Sequence, residues 1–131
     1  MDLFQKWLDF HNYPYLNIEN FPEAQKFFKG VKSPDFLLVL PNFGIIAVNV
    51  LINSNDFLFE EGNLKKYVEF EQFAKLQVWY VFGSFEEDFR VWYWIPLKEI
   101  LTNPQNYKEN SIAIQHQEDI SKLISTLIKK F

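Results

Sequence analysis

A chain of 131 residues with a formal charge of −4 is long enough for one domain with a buried core, and 48% hydrophobic against 23% charged residues is the balance of a water-soluble globular protein. The absence of cysteine excludes disulfides and thiolate metal sites, and His11 and His116 alone cannot build a multi-histidine zinc centre within one chain. The acidic balance opposes strong non-specific nucleic-acid binding, which rests on lysine and arginine neutralising phosphates.

Residues 2–11, "DLFQKWLDFH", set Leu3, Phe4, Trp7, Leu8 and His11 at helical spacing, and Pro14 stops that helix. Asp2 stands where a secretory signal carries positive charge, and the apolar residues are spaced rather than continuous, so no signal peptide is expected. No apolar run nears the ~20 residues of a membrane span. The expectation is a cytoplasmic protein with no membrane partner.

"FPEAQKFFKG" (21–30) reads as a second short helix, with Pro22 in its first turn and Gly30 at its stop. "SPDFLLVLPNFGIIAVNV" (33–50) reads as two strands joined at a turn, "PNFG" (41–44). "NSNDFLFEEGN" (53–63) is a polar loop. A third helix is expected over 63–75, with Asn63 as N-cap and Leu64, Tyr67, Phe70 and Ala74 on one stripe.

"LQVWYVFG" (76–83) and "FRVWYWIP" (89–96) are rich in β-branched and aromatic residues and read as a hairpin around the loop "SFEED". "TNPQNYKEN" (102–110) is loop-like. The clearest helix is "QEDISKLISTLIKK" (117–130), where Ile120, Leu123, Ile124, Leu127 and Ile128 share a face. Glu118 and Asp119 begin it, and Lys129 and Lys130 end it, as the helix dipole prefers. No repeat or linker divides the chain. Helix, helix, hairpin, helix, hairpin, helix predicts a single α/β domain with a central mixed β-sheet flanked by helices.

Strand alternation carries the first hairpin further. With Leu40 opposite Gly44, Asp35 falls opposite Asn49, and Asp35, Asn49 and Leu51 share one face. Phe36, Leu38, Ile46, Val48 and Val50 take the other face. An acid just after Pro34 at a strand start also suits a turn cap. A buried Asn49 needs a polar partner, since an unpaired amide costs about 1–3 kcal/mol, and Asp35 is the nearest one expected. In the second hairpin, pairing Gly83 with Phe89 sets Tyr80 against Trp92 and Trp79 against Tyr93. Both faces of that ribbon are aromatic and only Arg90 supplies a cation within it, which favours a sheet covered by helices over a platform stacking unpaired bases.

"SPDFLLVL" and, after the turn, "GIIAVNVL" resemble the core of the PD-(D/E)XK nuclease superfamily, the restriction-endonuclease-like fold. Pro34-Asp35 match the PD, and "GIIAVNVL" resembles the strand that carries (D/E)-X-K. The later helix and "QVWYVFG" resemble the helix and strand placed after the motif in small members. The resemblance covers about Phe21 to Pro96. It implies a site in which two carboxylates hold Mg²⁺ through oxygen. The metal then stabilises charge on the phosphate and helps to generate hydroxide, with a lysine positioning the water.

Asp35 keeps its place in that pattern. Asn49 stands where Asp or Glu belongs, and Leu51 stands where Lys belongs. An asparagine carbonyl can coordinate a metal but brings no charge, and Leu51 can neither donate a hydrogen bond nor carry charge. The resemblance therefore implies degenerate catalytic positions at Asp35 and Asn49, with Asp35 as the metal candidate. No cofactor is expected, or Mg²⁺ if an active site survives. Relocated ligands would come from Glu19, Glu23, Asp56, Glu60, Glu61, Glu69, Glu71, Gln72 or Lys75.

No nucleophile elbow, phosphate-binding glycine loop or His/Cys cluster is present. Lys65, Lys66 and Lys75 read as a solvated helix face. Three functions are expected to compete: an inactive or impaired relative of these nucleases acting as a binding or regulatory domain, an active Mg²⁺-dependent nuclease with relocated ligands, and an aromatic-rich protein-interaction domain. Expected partners are a protein or a second copy in a homodimer, with nucleic acid an open alternative that the net charge does not support.

Overall fold

Phe4, Trp7 and Leu8 recur on one face of Asp2–Phe10, and this segment forms helix α1 with all three buried. The computed structural model describes residues 2–21, 34–40, 43–51, 61–116, 123 and 125. The helix ends before Pro14. Asn12 takes the left-handed conformation (φ 58°), its N–H donates to the Asp9 carbonyl, and the Tyr13 N–H donates to the Leu8 carbonyl at 3.0 Å. This is a Schellman-type stop, for which asparagine is the usual substitute for glycine.

After α1 come strands β1 (Tyr15–Asn17), β2 (Phe36–Leu40) and β3 (Gly44–Leu51), helix α2 (Glu61–Ala74), strands β4 (Val78–Phe82) and β5 (Trp92–Pro96), helix α3 (Leu97–Thr102) and strand β6 (Ile112–Ile114). The six strands lie in one sheet in sequence order. Every neighbouring pair is antiparallel except β3 and β4, which run parallel. A parallel pair needs a crossover, and α2 lies within it. The α/β domain with a central mixed sheet is thus as expected. Among the described residues, no helix is long and apolar enough to cross a membrane.

Alternation along the strands divides the core into two layers. One face carries Phe36, Leu38, Ile46, Val48, Trp79, Val81, Trp92 and Trp94 under α1, together with the helical residue Leu123. The other carries Ala47, Leu51, Val78, Tyr80, Phe82 and Ile95 under Tyr67 and Phe70 of α2 and under Leu97 and Ile100 of α3. Burial on both faces explains why the strands read as near-continuous apolar runs.

Several expectations are corrected. Asn63 lies inside α2 rather than capping it, and residues 61–63 are helical rather than loop. Strands β1 and β6 and helix α3 were not anticipated, because each is three to six residues and too short for a periodic signal. The loop-like 102–110 segment holds a 3₁₀ turn at Pro104–Asn106. The helix expected at 21–30 lies outside the described residues except for Phe21, as does the 117–130 helix except for the helical residues Leu123 and Ser125.

The register of β4 against β5 is the largest correction. Phe82 pairs with Tyr93, Tyr80 with Ile95 and Trp79 with Pro96, in place of the expected Tyr80–Trp92 and Trp79–Tyr93. The connection is longer than a tight hairpin. Ser84 caps a 3₁₀ turn at Phe85–Glu87, and Asp88 and Phe89 come next in the left-handed region (φ 55° and 53°). The Trp92 indole N–H donates to the Phe89 carbonyl and the Trp7 indole N–H to the Arg90 carbonyl, each at 3.1 Å. Gly83 leaves room for the returning loop, since a Cβ there would meet the Phe89 ring at 2.8 Å. The shift is odd, so it changes which rings share a face. Trp79, Trp92 and Trp94 all lie in the layer under α1, at 1%, 0% and 0% exposure. Rings so enclosed cannot stack on bases.

Candidate functional site

The β2–β3 hairpin has the register that strand alternation requires. Leu40 pairs with Gly44 and Phe36 with Val48, and the Phe43 N–H donates to the Leu40 carbonyl at 3.1 Å. Asp35 lies one residue before the first paired residue of β2, Phe36, and donates its N–H to the Val48 carbonyl at 3.1 Å. Its carbonyl accepts the Ile18 N–H at 3.1 Å, which ties the end of β1 to the same point. The Asp35 carboxylate lies within electrostatic reach of Tyr67 and Tyr80, on the side of the sheet that carries Asn49 and buries Leu51.

The expected Asp35–Asn49 hydrogen bond is not formed. The Asp35 carboxylate accepts the Val50 N–H at 2.9 Å instead. The backbone ladder of β2 ends at Phe36, so the Val50 N–H lies past its end and the carboxylate replaces a strand acceptor. Asn49 is 4% exposed, and neither its Oδ1 nor its Nδ2 has a hydrogen-bond partner among the described residues. Most buried polar atoms in folded proteins are paired, which makes this amide an exception to explain.

Two tyrosines complete the surroundings. Tyr80 of β4 pairs with Asn49 across the parallel ladder. Tyr67 projects from α2 onto Tyr80, with ring centroids 5.8 Å apart in an edge-to-face arrangement. Burial pushes the Tyr67 hydroxyl well above the usual tyrosine range, and the negative charge of Asp35 adds to this. Burial does the same to Tyr80, reinforced by Tyr67, Asp35 and Glu71. Both hydroxyls thus stay protonated at ordinary pH. The node between α2 and the sheet holds the Asp35 carboxylate, one neutral amide and two neutral phenols, with the Glu71 carboxylate within electrostatic reach of Tyr80.

Glu71 lies one helical turn beyond Tyr67. Its Oε2 accepts the Val78 N–H at 2.8 Å and so ties α2 to the start of β4. Burial raises its carboxyl above the usual glutamate value, opposed by the Val78 N–H and by Lys98. A raised folded-state value means that this group's contribution to stability is fully present below its unfolded value and is lost as pH rises through the folded one. Glu71→Gln keeps an acceptor for Val78 and removes the charge. Thermal melts between pH 4 and pH 8 should show the variant gaining on the native chain as pH rises. A gap that closes with rising pH would contradict this assignment.

Among the described residues, the other relocation candidates form no metal-holding group with Asp35. Glu19 sits exposed in the 3₁₀ turn Ile18–Asn20, and Glu69, Gln72 and Lys75 are exposed around α2. Glu61 is in α2, while Glu23, Asp56 and Glu60 lie outside the described residues. Among the described residues, no three His, Cys, Asp or Glu side chains group to hold a metal. Lys65 and Lys66 are exposed on α2, as a solvated face requires. The two histidines, isolated in sequence, come within electrostatic reach of each other. His11 packs on Trp7 at 4.6 Å, and burial, with His116 as the smaller cause, lowers its pKa.

Sequence reasoning placed Tyr67 on the buried stripe of its helix but not at the site. The missing signal was the parallel pairing that sets Tyr80 beside Asn49, which no local pattern reports. Comparison with family models, with curated proteins and with solved structures finds no match for the chain.

Proposed function

We propose that this chain is a PD-(D/E)XK-like domain whose metal site is lost or impaired and that it works as a binding or regulatory domain. One observation carries the reading: the Asp35 carboxylate acts electrostatically on Tyr80, the strand partner of Asn49, with an amide and Leu51 in the places of the second carboxylate and the lysine. The order of elements supports its fold component, since α2 and the parallel strand β4 come after the motif strands as the resemblance implies. The donor set does not fit Mg²⁺. Mg²⁺ demands near-ideal octahedral oxygen geometry and is held by free carboxylates together with water and phosphate. Here the Asp35 carboxylate is engaged with the Val50 N–H and the Glu71 carboxylate with the Val78 N–H, and the amide and both phenols are neutral at ordinary pH.

The purified chain should leave single- and double-stranded DNA and RNA intact in Mg²⁺ or Mn²⁺. Metal-dependent cleavage that disappears in Asp35→Ala would overturn the reading in favour of an active nuclease with relocated ligands. A gain-of-function test complements it. Asn49→Glu with Leu51→Lys restores the motif's charges, and titration calorimetry should then detect Mn²⁺ binding that Asp35→Ala removes.

A second reading, a protein-interaction domain, is favoured by a different observation. Leu16 (50% exposed), Val39 (42%) and Ile45 (46%) lie on the sheet face that α2 covers farther along, where Leu16 pairs with Leu37 and Val39 with Ile45. If this strip joins two copies, sedimentation velocity should show concentration-dependent association that Val39→Lys abolishes. A monomer at every concentration would remove the homodimer form of this reading.

A further inference from the structure

We draw no further inference here: the strongest candidate, the 84–90 loop that holds Phe85 out to solvent beside Glu86 and Asp88, is an acidic cluster around one exposed ring, and nothing in the structure shows what covers it.

Discussion

Phe4→Ala should cost the fold about 3–5 kcal/mol, the range for emptying a buried aromatic site that relaxes only in part. Phe4 is 0% exposed, and its ring lies 5.0 Å from Trp92, 5.6 Å from Phe36, 5.8 Å from Trp94 and 6.0 Å from Trp7. Three of these neighbours are indoles. Trp7 and Trp92 have their N–H groups bonded to the backbone of the β4–β5 loop, so they are poorly free to move into the space. Edge-to-face pairs add about 0.5–1.5 kcal/mol each beyond area burial, and three of the four pairs have that geometry. Small domains have only about 5–15 kcal/mol in hand, so the loss is a large share of the total. The melting temperature should fall by on the order of 10–20 °C. Phe10→Ala is the control: Phe10 is 81% exposed, so its loss should stay within about 0.5 kcal/mol. Denaturant titrations giving the two variants equal losses would show that α1 is not docked by Phe4.

Asn49→Leu should move stability the other way, by about 1–3 kcal/mol. Leucine nearly matches asparagine in size and removes two buried atoms that no described residue satisfies. Ala47 and Leu51 on the same face are already apolar, so a leucine joins a layer of its own kind. The prediction bears on function as well as on folding. Natural chains keep unsatisfied polar groups mainly where a site requires them, at a cost in stability. A stabilised Asn49→Leu variant therefore supports Asn49 as a residue of a former or altered site. A destabilised one would mean that the amide is bonded in solution and that the node is an ordinary polar part of the core.

The hairpin was the most legible part of the site. Its turn is short, and alternation over Phe36–Leu40 and Gly44–Leu51 leaves one register that buries Phe36, Leu38, Ile46 and Val48 together. The partner of Asn49 was not legible. Two groups competed for the Asp35 carboxylate, and a backbone N–H beyond the ladder's end is as strong a claimant as a side-chain amide. Nor could Tyr80 be placed there. It reaches the site through a parallel pairing across the α2 crossover, which side-chain pattern does not encode.

Local pattern was enough to read one α/β domain, the inward face of Phe4, Trp7 and Leu8, and the shared sheet face of Asn49 and Leu51. Each of these stems from a local period of the chain, 3.6 residues in the helix and two in the strand. The β4–β5 register, the burial of all three sheet tryptophans on one side and the turn of the Asp35 carboxylate towards Val50 came from the folded chain alone. Those depend on a loop held by two left-handed residues and two indole hydrogen bonds, and on which donor reaches the carboxylate. Such choices are made between segments distant in the chain, where periodicity carries no information.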